Sequence, residues 1–188
     1  MLPSPFAIAD TCFLIDWARY RRRNVLFKLF RTVFVSENVL TEIRSERTIT
    51  WISDSLAKDR LSLYTPTPNE LEEARELIEE SRLQPRLPSI DLPEALCLVI
   101  GKKRGYVVLT ENRGALLAPV FIKRFKNVKV WRALEVLLNV IKAGHISINC
   151  NNPEEIFTEY SEDTLHIFPK RALRIAVNEV KKICMERK

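Results

Sequence analysis

Short uninterrupted apolar runs alternate along this chain with longer segments in which apolar residues recur every three or four positions. The runs "FAIA" (6–9), "TVFV" (32–35), "LSLY" (61–64), "YVVLT" (106–110) and "VKVW" (128–131) are rich in β-branched and aromatic residues and predict strands. Between them the period changes to that of helices. "TCFLIDWARY" follows the first run, and "ENVLTEIRSE" follows Ser36, a good N-cap. "ITWISDSLAKD" comes next, then "NELEEARELIEESRL" with Leu71, Ala74, Leu77 and Ile78 on one face. "LPEALCLVIGKKR" reads as a largely buried helix, and "ALEVLLNVIKAG" as one ended by Gly144. Strands that are apolar throughout, rather than alternating in and out, belong to a parallel sheet covered on both faces. The expected fold is therefore α/β, a three-layer α/β/α sandwich with a central parallel sheet.

Residues 145–188 break the alternation. "HISINCNNPEE" reads as a connector and "PKRALRIAVNEVKKICMERK" as a basic amphipathic helix starting near Pro169, with Leu173, Ile175, Ala176, Val180 and Ile183 as its apolar positions. The expected organisation is a domain over 1–144 and a C-terminal helical extension over 145–188, packed on that domain or on a dimer partner. Nothing repeats at a fixed period.

A hydrophobic content of 46% and a charged content of 29% over 188 residues match a soluble globular chain, and no apolar run approaches the roughly 20 residues that span a bilayer. The start "MLPSPFAIAD" lacks a basic n-region and a long apolar core, so the expected location is the cytoplasm. Cys12, Cys97, Cys150 and Cys184 are widely spaced with no C-x-x-C pair, and are expected to be buried thiols. Net charge is +6, with basic clusters at 19–23, 102–104 and 122–126. Such clusters suit a polyanionic partner and a solvated surface equally well.

Ligands of open parallel sheets bind beyond the carboxyl ends of the strands. Asp10 directly follows the first strand. Glu42 lies about a turn and a half into the helix after the second, beside Val39 and Ile43. Asp91 and Glu94 open the buried helix, and Thr110, Glu111 and Asn112 follow the fourth strand. Four segments thus bring oxygen ligands to one edge if the strands lie side by side. Each also has a structural explanation. Asp10 suits a helix cap, and D-x-x-E over 91–94, with Pro93 inside the first turn, suits a capping box. Glu42 suits a surface acid, with Glu46 as a rival one turn later, and Asn112 suits an N-cap for "RGALLA". A helical wheel places Glu94 opposite the stripe of Leu92, Leu96, Val99 and Ile100, as for an exposed cap residue.

The succession "AIADTCFLID", "FVSENVLTEI" and "IDLPEALCLVIGKKRGYVVLTEN" resembles the PIN-domain nucleases, the fold of VapC-type toxins and of related archaeal and bacterial PIN proteins. The resemblance covers residues 6 to about 132, and "LPEALCL" is similar to the G-E-A-like third motif of one subgroup. It implies a PIN-like fold with Asp10, Glu42 and Asp91 as metal-binding acids, Glu94 sharing the third role. Asn112 stands where many members carry Asp, so it would supply a neutral amide ligand or a water hydrogen bond, with Glu111 as the neighbour able to take over. One metal or two is left open.

Carboxylates gathered without a cation repel one another, and Mg²⁺ or Mn²⁺, hard ions that prefer oxygen, relieve the conflict. The expected function is that of a metal-dependent ribonuclease, either a toxin with a small antitoxin protein as partner or an RNA-processing enzyme. The alternative is a PIN-like module that binds RNA or protein without cutting. Arg21, Arg22, Arg23 and Thr110 are candidate contacts to substrate phosphate. His145 and His166 lie in the final quarter of the chain, away from the acid motifs, which disfavours a metal-free histidine mechanism. "DTCFL" lacks the second Asp, two residues on, of a phosphoaspartate phosphatase. A homodimer with no membrane association is expected.

Overall fold

The first strand, β1 (Phe6–Ala9), is buried from Ala7 onward because strands flank it on both sides. A computed structural model describes residues 4–186. After β1 come α1 (Thr11–Arg19), α2 (Leu26–Leu29), β2 (Thr32–Ser36), α3 (Glu37–Glu42), α4 (Glu46–Leu56) and β3 (Leu61–Tyr64). Then follow α5 (Pro68–Arg82), α6 (Leu92–Arg104), β4 (Val107–Leu109), α7 (Arg113–Phe121), β5 (Val130–Trp131), α8 (Ala133–Lys142), α9 (Glu155–Thr164) and α10 (Lys170–Glu186). All strands pair in parallel in the order β3-β2-β1-β4-β5. The result is a three-layer α/β/α sandwich, as the continuous apolar runs predict. Helix α1 packs on α4, α5 on α6 and α6 on α7, and α8 packs beside α2; crossovers of the usual right hand make these groups the two outer layers.

The chain works outward from β1 to β3 and then crosses back to β4, so strand order reverses between β1 and β4. In open α/β sheets the carboxyl-end crevice at such a reversal is where ligands bind. The register Ala9↔Leu109 brings the residues after both strands, Asp10 and Thr110, to that crevice.

Helix α6 departs from the wheel. Every residue from Pro93 to Gly101 is buried, because the helix is covered by α3, α5, α7 and the sheet and has no solvent face until its last turn. Glu94 is therefore inside, not on an exposed cap. Gly105, at φ 68°, takes the left-handed conformation that ends α6.

The C-terminal segment packs on the same core. Tyr160 of α9 meets Trp17 and Tyr20 of the α1 region at ring-centroid distances of 5.7 and 5.2 Å. On α10, Ala176, Val177 and Val180 are buried against α8, whereas Ile175, expected to be apolar and inward, is exposed. Among the described residues no helix is long and apolar enough to cross a membrane.

One expectation about the cysteines fails. Cys150 and Cys184 form a disulfide that ties the connector to α10, with Cα atoms 5.7 Å apart, and Cys12 is exposed; only Cys97 is a buried free thiol. A link across a sequence separation of 34 stabilises by about 3–4 kcal/mol on the chain-entropy model. Reduction, or Cys150→Ser, is expected to lower stability by that amount in urea titrations; an unchanged midpoint would show that the link does not form. Such bonds persist in oxidising compartments and in intracellular hyperthermophile proteins, so the bond bears on where the chain resides.

Candidate metal centre

Asp10 is fixed three ways. Its amide donates to Leu109 O (3.0 Å), extending the β1–β4 ladder, and its Oδ1 accepts from the Phe13 amide (2.8 Å) as the N-cap of α1. Its Oδ2 accepts from Thr110 Oγ1. Capping and site geometry are thus compatible, since each carboxylate oxygen carries a second lone pair. Asp10 is fully buried. Burial pushes its carboxyl up to about 7, helped by the charges of Glu94 and Glu111 and opposed by the Thr110 and Phe13 hydrogen bonds.

Glu94, 7% exposed, comes from the first turn of α6. Its Oε1 accepts from Asn112 Nδ2 at 3.2 Å, while its buried Oε2 has no hydrogen-bond partner. Burial, reinforced by the charges of Asp91 and Glu42, holds its carboxyl above the usual range. One ligand atom each from Asp10, Cys12 and Glu94 lie within 4.8 Å of one another. This cluster differs from the expected set in two ways. Cys12, two residues after Asp10, joins it. Glu42 and Asp91 stand at its exposed rim, acting on Glu94 through their charge.

Glu42 accepts from Thr11 Oγ1 at 2.6 Å, which ties the end of α3 to the start of α1. Asp91 occupies the N-cap position of α6, but its side chain makes no capping bond, so the D-x-x-E pattern is not used as a box. The backbone alone serves, Asp91 O accepting from the Ala95 amide at 2.9 Å. Asn112 both caps α7, accepting from the Ala115 amide at 3.0 Å, and turns its amide to Glu94. Its oxygen carries the cap on one of two lone pairs.

Glu111 does not complete the centre. Its Oε1 accepts from the Ala133 amide (2.7 Å) at the start of α8, and its Oε2 lies 3.5 Å from His166 Nε2. His166 Nδ1 lies 3.4 Å from Asp16 Oδ2, so the fold brings this histidine beside an acid motif from which the chain separates it. Burial pushes Glu111 up to about 7, and the Asp16 contact raises His166.

The candidate phosphate contacts are all engaged within the protein. Thr110 is fully buried; its hydroxyl donates to Asp10 and accepts from the Asn112 backbone amide (3.0 Å), so it holds the Asp10 carboxylate. Arg21 pairs with Asp163 and Arg22 with Glu159, each at 2.7 Å, and Arg23 donates to Ala18 O at 2.9 Å. The cluster fastens α9 to the domain. Basic residues elsewhere are similarly engaged, with Lys103 on Glu73 and Arg124 on Glu80. By contrast, among the described residues no Lys or Arg forms an ion pair with Asp10, Glu42, Asp91 or Glu94.

No family model matches the chain, and no curated protein matches it.

The centre is braced by a close backbone contact. A Cβ on Gly114 would lie 2.6 Å from Ser89 O and 2.7 Å from Pro88 O, so α7, which Asn112 caps, presses on the loop leading to Asp91. Neither carbonyl is the end of a flexible side chain. Gly114→Ala is expected to cost about 1–3 kcal/mol in urea denaturation and to weaken divalent-ion binding by displacing the Asn112–Glu94 pair. Unchanged values of both would show that the loop yields freely.

Proposed function

We propose that this protein is a metal-dependent ribonuclease that hydrolyses phosphodiester bonds with Mg²⁺ or Mn²⁺ held by carboxylates. The observation that carries the reading is Glu94 Oε2, buried and without a partner, within a cluster that includes the fully buried Asp10 and has no cation paired to it. A buried acceptor left unsatisfied, as Glu94 Oε2 is, costs about 1–3 kcal/mol, more when charged, and a hard cation suits a pair of buried carboxylates.

Asp10 and Glu94 are the residues that would hold the ion, with Glu42 and Asp91 adding negative charge at the rim. When bound, the ion supplies the Lewis acidity that phosphodiester hydrolysis requires. The remaining residues preorganise the acids. Thr110 and the Phe13 amide fix the Asp10 carboxylate, and Asn112 fixes that of Glu94. The choice of RNA rests on the resemblance to PIN nucleases, and the net charge of +6 favours a polyanion at long range.

The test is incubation with a panel of single-stranded and structured RNAs, with Mg²⁺ or Mn²⁺ and with chelator. Cleavage that needs the ion and disappears in Asp10→Asn and Glu94→Gln is expected. Intact RNA under every condition would overturn the enzyme reading. A second reading, a PIN-like module that binds RNA or protein without cutting, is favoured by Asn112, which adds no charge to the centre. RNA retained uncut would select it. A small antitoxin protein as partner and an RNA-processing role belong to the same proposal, as does a homodimer. Light scattering is expected to give twice the 21.9 kDa chain mass; the monomer mass at all concentrations would exclude the dimer.

A further inference from the structure

We propose that Cys12 is a sulfur ligand of this centre, which therefore takes Zn²⁺ or Co²⁺ more tightly than Mg²⁺ or Mn²⁺, so that zinc-class ions displace the hard ions from it. The inference rests on the carboxylate-metal reading above and adds a third ligand and a selectivity to it.

The geometry is that of a three-residue ligand set. Cys12 Sγ lies with an oxygen of Asp10 and an oxygen of Glu94 inside a span of 4.8 Å. Asp10 caps α1 and Cys12 is the second residue of the helix, so a single turn of backbone delivers both. Glu94 arrives from another element, the start of α6. Cys12 is exposed where the two carboxylates are buried, which leaves one side of the set open to solvent. Independently of the thiol, Glu94 Oε2 is buried without a partner, so the cluster contains an acceptor that the protein itself does not satisfy.

Three protein ligands and one open position are the arrangement of catalytic zinc sites. A purely oxygen set would suit Mg²⁺ or Mn²⁺, but a thiolate in the set favours borderline ions. Zn²⁺ and Co²⁺ also stand above Mn²⁺ in the general affinity order for divalent first-row metals. The other cysteines do not belong to the set, since Cys150 and Cys184 are joined to each other and the Cys97 sulfur is not among the ligand atoms that lie within 4.8 Å of one another.

The experiment titrates Co²⁺ into the full chain in thiol-free buffer, recording near-ultraviolet absorption and heat, for the parent, Cys12→Ser and Asp10→Asn. Because Cys12 is exposed, serine there leaves the core intact. The expected result is a sulfur-to-cobalt charge-transfer band that Zn²⁺ abolishes and that both variants lack. Loss of an outer-shell partner alone typically costs 10–100-fold in metal affinity, so removing the ligand is expected to weaken Zn²⁺ at least about tenfold, and more than it weakens Mn²⁺. Heat of Co²⁺ binding without the band, or equal Zn²⁺ affinities in parent and Cys12→Ser, would overturn sulfur ligation and leave the carboxylate reading standing. A band retained in Asp10→Asn would place Cys12 on a different ion and overturn the proposal. No heat from Co²⁺, Zn²⁺ or Mn²⁺ with the parent would overturn both readings.

Discussion

Asp10→Asn is expected to abolish divalent-ion binding and to make the ion-free protein more stable. The two effects have one cause. Asp10 is fully buried, and its carboxyl is pushed from the usual 3.8 up to about 7. At pH 8 the ionised group therefore costs the folded state about 4 kcal/mol relative to the unfolded chain. Asparagine keeps the oxygen that caps Phe13 and carries no charge. Part of the gain is offset, because the Thr110 hydroxyl loses an ionised acceptor. A net gain of about 2 kcal/mol corresponds to a rise in Tm of about 4–8 °C for a chain of this size. In the same variant, calorimetric Mn²⁺ binding is expected to vanish, and RNA cleavage to fall at least about a hundredfold, as when one electrostatic stabiliser of a transition state is removed. Asp10→Ala is the contrasting variant, since it also removes the cap, worth about 1 kcal/mol. An Asp10→Asn protein less stable than the parent at pH 8, with Mn²⁺ binding intact, would make Asp10 a structural cap and nothing more.

How much of this was legible depends on whether the information is local. The three inner strands β2, β1 and β4 are short apolar runs without alternation, the mark of parallel pairing, whereas the edge strands "LSLY" and "VKVW" alternate; the sheet edge carrying Asp10, Thr110 and Asn112 belongs to the inner strands and could be read directly. The wheel of α6 misled because a helix buried on every side has no polar face for the wheel to find. D-x-x-E over 91–94 carries the sequence of a capping box, yet the Asp91 side chain makes no capping bond and stays exposed. Cys12 was read as core since a lone thiol next to a cap carries no signal of exposure; its spacing of two from Asp10 is the only trace. Helix α9 lies almost wholly between the connector "HISINCNNPEE" and the terminal helix, in a stretch with no element expected, and its anchors are remote. Arg21 and Arg22 meet Asp163 and Glu159 across 142 and 137 residues. Cys150 and Cys184 are likewise joined across a long interval, without a spacing motif. Patterns of period two and four report burial of single elements, and such long-range pairs leave no period.

Between pH 5 and pH 8 the ion-free protein is expected to lose about 3–5 kcal/mol of stability, and Mn²⁺ is expected to restore much of it at the upper end. Asp10 and Glu111 both have carboxyls pushed up to about 7 in the fold, from usual values of 3.8 and 4.5. The folded protein thus holds protons that the unfolded chain has released, and stability falls as pH rises from about 4 to about 7 and then levels. His166, raised by Asp16, acts in the same direction: its contribution is complete below 6.5 and is lost as pH rises through its folded value. Asp163, Glu70 and Glu179 are lowered, so their contributions are lost only in acid, below this window. Mn²⁺ at a hundred times its Kd adds about 2.7 kcal/mol, and less at pH 5, where a protonated Asp10 opposes binding. Urea titrations at pH 5 and 8, with and without Mn²⁺, measure all four corners. Glu111→Gln is expected to flatten part of the pH slope and leave the Mn²⁺ increment intact, whereas Asp10→Asn removes the increment along with its share of the slope. A parent protein whose ion-free stability is flat across this window would mean that Asp10 meets water in the fold, and a carboxylate already satisfied by water has no need of the ion.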